Sequence, residues 1–223
     1  MYGKVKISKR QMKEDKFTSF VLKNKQTMAD NWQYLLIGVA IVVLIVFGVN
    51  YYLSSQDAQL VEASEKYSQA LIDYNNGNSE LAFLSLDQII SDYSGTTIAR
   101  QANYTLAKFN MESKNYAEAI RYFEMFTNKF KSDELLLAAA YGGLGVCYEN
   151  QGNNTEAAAN FESAYKTQPS GPLAPDYKIG AMRNFLLAGD MTNAQKQLDD
   201  IKELYDGTDT ANKAILLFAE KSQ

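Results

Sequence analysis

Residues 141–169 read YGGLGVCYENQGNNTEAAANFESAYKTQP, and this stretch decides the fold. Leu144, Gly145, Tyr148, Gly152, Ala157, Phe161, Ala164 and Pro169 stand in it as L-G-x2-Y-x3-G-x4-A-x3-F-x2-A-x4-P. The spacing is that of two helices folded back on each other. Gly152 sits where the first helix must end in a residue of positive φ. Gly145 and Ala157 are small because a larger side chain would hold the crossing helices apart. Tyr148 and Phe161 fill the space beside the crossing, and Pro169 stops the second helix.

The same template, laid on the flanking sequence, gives three weaker copies. One carries Ala70, Gly77, Ala82, Leu86 and Ile89; the next Leu106, Ala107, Tyr116, Ala119, Phe123 and Phe126; the last Phe185, Gly189, Ala194, Leu198 and Ile201. The equivalent alanines Ala82, Ala119, Ala157 and Ala194 are 37, 38 and 37 residues apart. A fixed period of this length marks a helical repeat array, and the hallmark positions are those of the tetratricopeptide repeat (TPR), with Tyr141 in place of its first Trp. Lys114 replaces the turn glycine in the second copy, and Met182 occupies the small position in the fourth. Ser94, Lys131 and Asp206 stand where Pro169 stands in the third. Tyr93-Ser94-Gly95-Thr96 with Ala99 and Ala102 is echoed by Tyr205-Asp206-Gly207-Thr208 with Ala211 and Ala214. In both, Gly ends one helix and Thr caps the next.

Upstream, Leu35 to Val49 (LLIGVAIVVLIVFGV) carries no charge. With its flanks it forms a segment over residues 34–53, about 30 Å long as a helix, which matches a bilayer core. Trp32 and Tyr34 at one end and Tyr51 and Tyr52 at the other suit the two interfaces. Before the span lie eight basic and three acidic residues, a net +5; the remainder carries 14 basic and 23 acidic, a net −9. The positive-inside rule then places the arm, residues 1–33, in the cytoplasm and the C-terminal region across the membrane, in a bacterium the periplasm. A cleaved signal peptide competes with this reading, but its basic region would be unusually long and no A-x-A site follows the apolar run. Phe17, Phe20, Val21 and Met28 among Lys13, Lys16, Lys23 and Lys25 form either a helix lying on anionic headgroups or a tail whose charges only set topology.

The expected fold class is all-α: a single transmembrane helix, then an α-solenoid of about four TPR-like helix pairs and a capping helix. Residues 54–62 form a linker or continue the first helix. The repeats take 63–206 (63–96, 100–133, 138–171 and 175–206), and 207–223 form the cap and tail that cover the last apolar face.

Composition narrows the function. Hydrophobic residues make up 46% and charged residues 22%, as in a globular chain, and there is no His. That removes the usual general base and commonest metal ligand. Cys147 is the only cysteine, so no zinc pair or intrachain disulfide forms; it reads as a small buried apolar residue. Gly142-Gly143-Leu144-Gly145 lies mid-helix and is no phosphate loop, and the acidic pair Asp199-Asp200 reads as a solvated face. No catalytic residue, metal site, cofactor or small-molecule substrate is expected. The −9 charge beyond the span argues against nucleic acid.

The basic arm, single span, Ser64-Glu65-Lys66-Tyr67-Ser68-Gln69-Ala70-Leu71, Gly77 and Tyr93-Ser94-Gly95-Thr96 together resemble a bacterial family. It is that of the membrane-anchored periplasmic TPR proteins typified by the ancillary subunit of the Sec translocon, whose repeat domain is shared with the cell-division coordinator of the Tol-Pal system. The resemblance covers roughly residues 30–221. It implies a non-catalytic scaffold in the inner membrane, with translocon, chaperone or prolyl-isomerase partners. A subunit of another envelope machine, for cell division or outer-membrane assembly, fits the same motifs.

A TPR array binds through its first helices. On the template this places Tyr67, Leu71 and Tyr74, then Tyr104, Lys108 and Met111, then Val146 and Glu149, then Ile179 and Arg183 in the groove. Tyr and Met are adaptable contacts for peptide segments; the competing reading is that they pack against neighbouring repeats. The carboxylate clamp of cytosolic cochaperones needs Lys, Asn and Arg at the leading positions, which Tyr67, Leu71 and Tyr74 cannot supply.

Overall fold

A computed structural model describes residues 18–20, 23 and 32–221. Among these, all regular structure is α-helical, and the chain divides into two compact units, Met1–Ala58 and Gln59–Gln223. The expected amphipathic arm helix falls mostly outside the described residues; Phe20 and Lys23 are helical and exposed. In the first unit, Trp32–Tyr51 is a 20-residue helical stretch of mean hydropathy 2.4 with none of its window buried. By length and composition it suffices to cross a membrane, a test that a signal sequence near the N-terminus also passes. This stretch opens α1 (Trp32–Asn75), whose C-terminal part belongs to the second unit.

The second unit continues with α2 (Ser79–Asp92), α3 (Thr97–Glu112), α4 (Tyr116–Lys129), α5 (Glu134–Asn150), α6 (Asn154–Thr167), α7 (Ala174–Leu187), α8 (Met191–Leu204) and α9 (Asp209–Lys221). The turn inside each pair is one motif used four times. The amides of Gly77, Lys114, Gly152 and Gly189 donate three residues back, and those of Asn78, Asn115, Asn153 and Asp190 donate five residues back. This double closure satisfies the orphan carbonyls of the ending helix and requires a left-handed residue. Lys114 complies at φ 61°, where the other three are glycines at 77–86°. The missing glycine of the second copy therefore changes the strain of the turn and not its geometry.

Ala82, Ala119, Ala157 and Ala194 are fully buried at the helix crossings. Gly145 works with them: a Cβ there would lie 2.9 Å from the Phe161 ring. In the fourth pair the buried side chain of Met182 takes the small position, while Gly180 makes room on the opposite flank of α7, where an added Cβ would meet Phe161 of the third pair at 2.9 Å. Phe161 of α6 is thus admitted by glycines on both α5 and α7. Gly143 and Gly142 admit Phe123 and Tyr177 in the same way, at 2.4 and 2.6 Å from the added Cβ. The glycine-rich run of α5 is a set of seats for three aromatic rings.

Burial is divided among three clusters. The first spans α1 to α5, the second holds Phe161 and Tyr177 with Ala138, Ala164 and Ala181, and the third holds Met182, Leu186, Leu198 and Ile201 with α9. Fully burying a Phe side chain such as Phe123 or Phe126 stabilises by roughly 1.5–3 kcal/mol. Hydrogen bonds at nearly the repeat period tie each pair to the next: Tyr67 to Thr105 and Tyr122 to Asp87, then Tyr116 to Asn150, then Glu149 to Arg183 and Gln197 to Glu162.

Candidate functional site

Thr96 and Asp133 cap α3 and α5, accepting from the amides of Ala99 and Leu136. These caps fix where the two helices begin; the C-terminal part of α1, the middle of α3 and the first turn of α5 then surround a cavity of about 430 Å³. Four of the residues expected in the groove meet there: Tyr67, Leu71, Tyr104 and Lys108. Gln101, Thr105, Phe109 and Leu136 complete the lining. Gln101 and Thr105 precede Tyr104 and Lys108 by a helical turn or less on the same face, a spacing from which they were readable once the first two were chosen.

The wall is rigid because its rings are held from behind. Tyr67 and Thr105 share a hydroxyl hydrogen bond of 2.8 Å. The Tyr104 ring meets Phe123 and Phe126 edge-on, with centroids 5.9 and 5.7 Å away, and burial raises the pKa of its hydroxyl. Lys108 supplies the one cation of the lining, 3.5 Å from Glu112 and half exposed. The surface is largely apolar and aromatic, with an amide, hydroxyls and one positive charge at its edge. Such a surface takes an apolar side chain and hydrogen-bonds a peptide backbone.

The remaining expected residues lie elsewhere. Tyr74 stacks on Phe109 with ring centroids 3.5 Å apart and donates to Glu112, so it braces the cavity from outside its lining. Met111 packs half-buried against the first cluster. Val146 is exposed on α5, and Ile179 packs on the third cluster. Glu149 and Arg183 are joined to each other: the guanidinium donates to both carboxylate oxygens at 2.8 and 2.7 Å, and the Asn184 amide adds a third bond at 2.9 Å. Burial opposes the charge on Glu149, but these donors and the Arg183 charge outweigh it and hold the carboxyl below its ordinary pKa. The pair clamps α5 to α7.

A second cavity, of about 300 Å³, lies between α6, α7 and α8. Asp200, expected on a solvated face, instead accepts from the buried Lys178 ammonium at 2.7 Å. Gln197 accepts from the same ammonium at 3.2 Å, and the Tyr165 ring lies 4.4 Å away. Gln197 passes its own amide to Glu162. A buried lysine needs such partners, and the network satisfies it without a ligand.

Stacked helix pairs with a preformed cavity along their first helices define a repeat scaffold suited to protein–protein interaction. The chain belongs to the family of the tetratricopeptide repeat-like domain, whose model matches residues 25–168. No curated protein matches it in sequence. In structure it is similar to the nearly identical TPR-like repeats of a Podosopora anserina chain assigned as a kinesin light chain, at 15% identity and a TM-score of 0.56 over 73% of this chain and 86% of that one. A variant of those repeats gives the same TM-score at 16% identity, over 73% and 85%. At such identity the likeness concerns the fold alone.

Proposed function

We propose that this chain is a non-catalytic scaffold anchored in the bacterial inner membrane by residues 34–53, binding protein partners with its repeats on the periplasmic side. The partners are subunits of the Sec translocon or the chaperones around it. The cavity on α1, α3 and α5 carries the binding half of this reading: its apolar wall is held rigid in advance, so a peptide segment pays little to order it. The charge step from +5 to −9 across the span supports the orientation. A photo-crosslinking residue placed at Gln101 or Lys108, both exposed at the cavity, should capture a translocon or chaperone subunit in living cells. The same probe at Asn128, exposed on α4, should capture far less. Equal capture at Asn128, or none at either cavity position, refutes the binding site. Capture of a cell-division or outer-membrane assembly subunit keeps the site and replaces the partner.

A further inference from the structure

The cavity between α6, α7 and α8 arises where the fourth pair departs from the repeat. The 37-residue step from Ala157 to Ala194 carries Tyr141 onto Lys178 and Leu144 onto Ala181. In the third pair Tyr141 packs against two of the hydrophobic clusters and Leu144 is buried. In the fourth, a slender ammonium chain and a methyl group stand in place of the ring and the branched chain, and both line the cavity of about 300 Å³. Contacts confirm the register. The Asn103 amide reaches the Met125 sulfur at 3.0 Å in the second pair, and Lys178 reaches Asp200, each 75 residues further on, at 2.7 Å. Burying a lysine and giving up apolar volume both cost stability. A departure from local packing rules that costs stability is expected where a chain carries function.

The charges around the cavity indicate what it takes. Each of its three walls contributes one lysine: Lys166 from α6, Lys178 from α7 and Lys196 from α8. Glu162 neutralises Lys166 at 3.3 Å, and Asp200 neutralises Lys178. Lys196 is exposed and has no acidic partner among the described residues, so the lining carries one surplus positive charge. Two acceptors are also unused. Asp200 receives Lys178 on one carboxylate oxygen and nothing on the other, and Asn193 gives its amide nitrogen to Asp190 at 2.7 Å while its side-chain oxygen stays open. A bare carboxylate would answer the lysine alone, and a neutral polyol the acceptors alone. We propose that this cavity binds a small hydroxy acid, its carboxylate on Lys196 and its hydroxyls donating to Asp200 and Asn193. The volume stands at the lower end of ligand sites, which suits a single small molecule. The site does not depend on the peptide cavity or on its partners.

Isothermal titration calorimetry of the full-length chain in detergent tests it, with sodium D-gluconate and sodium D-glucuronate as probes. At least one should bind saturably, and D-glucose and sodium acetate, which each lack half of the chemistry, should bind at least about tenfold more weakly. Lys196→Gln removes the surplus charge and should weaken the bound probe about tenfold. Lys213→Gln, at an exposed lysine of α9, should leave it unchanged. Ala181→Leu restores the residue type of the third pair, fills the cavity and should abolish binding. Circular dichroism checks that this variant keeps its helical signal; if it does not, Lys196→Gln, an exposed change, decides alone. Saturable binding of neither probe, equal binding of glucose or acetate, or undiminished affinity in Lys196→Gln each overturns the proposal.

Discussion

Gly143→Ala puts the packing of α5 to a direct test, because two effects of known size oppose each other there. Alanine is the better helix former, worth about 1 kcal/mol over glycine in a helix interior. Against it, the new methyl would lie 2.4, 2.6 and 2.9 Å from three carbons of the Phe123 ring. Ordinary contact begins near 3.5 Å, so the ring must retreat by about 1 Å. It has little room: Phe123 is 1% exposed and its other side meets Tyr104. Overpacking costs about 1–3 kcal/mol; with the ring hemmed in, the upper part of that range, about 2–3 kcal/mol, applies, so the net change is a loss of about 1–2 kcal/mol after the propensity gain. In thermal unfolding followed by circular dichroism, that lowers Tm by about 2–8 °C. Phe123→Leu shortens the ring position, and in the Gly143→Ala background it should cost at least about 1 kcal/mol less than in the native chain. A Gly143→Ala chain melting at or above the native temperature, or strict additivity of the two changes, would refute the seat.

Lys114→Gly should raise stability by about 1 kcal/mol, because the residue is held at φ 61°; an unchanged melting temperature would mean the turn relaxes at no cost. Glu149 has a lowered pKa in the folded chain, so its pairing contributes fully above the ordinary Glu value of about 4.3 and fades as the pH falls through the folded value. Glu149→Gln should lower Tm at pH 7 and flatten its decline below about pH 4.5, and parallel profiles would count against the clamp. Burial pushes the Cys147 thiol up to about 12, so a maleimide should label it slowly in the folded chain and promptly in denaturant; fast native labelling would show α5 opening. Protease added to spheroplasts should digest the repeats and leave the basic arm, whereas repeats protected until the inner membrane is opened would reverse the proposed orientation.

The turns and crossings were legible because their chemistry is local and periodic. A positive-φ glycine and a small residue five places later announce each pair, and Ala82, Ala119, Ala157 and Ala194 kept the count where the glycine failed at Lys114. The cavity was half legible: helical spacing placed Tyr67, Leu71, Tyr104 and Lys108 on one face. Leu136 joins them from another helix, and no spacing within a single repeat predicts that. The same limit hid the clamp. Glu149 and Arg183 were both assigned to a binding face, yet they lie 34 residues apart, close to the repeat period, which makes them neighbours across a repeat boundary. Asp200 looked solvated because its partner Lys178 is carried on a different helix. Gly142 and Gly143 read as unremarkable for the same reason, since the rings they admit come from α7 and α4.

The three separate hydrophobic clusters have a mechanical meaning. In a domain with a single core, a load on one end is shared by the whole interior until everything yields together. Here the cluster around Met182 and Ile201 shares no buried residue with the one around Phe123. Tension on the C-terminus of the second unit would peel α9, α8 and α7 away while α1 to α5 kept their own contacts. The chain would yield in steps, like a row of links opening in turn, and the cavity on α1, α3 and α5 lies in the portion that lets go last.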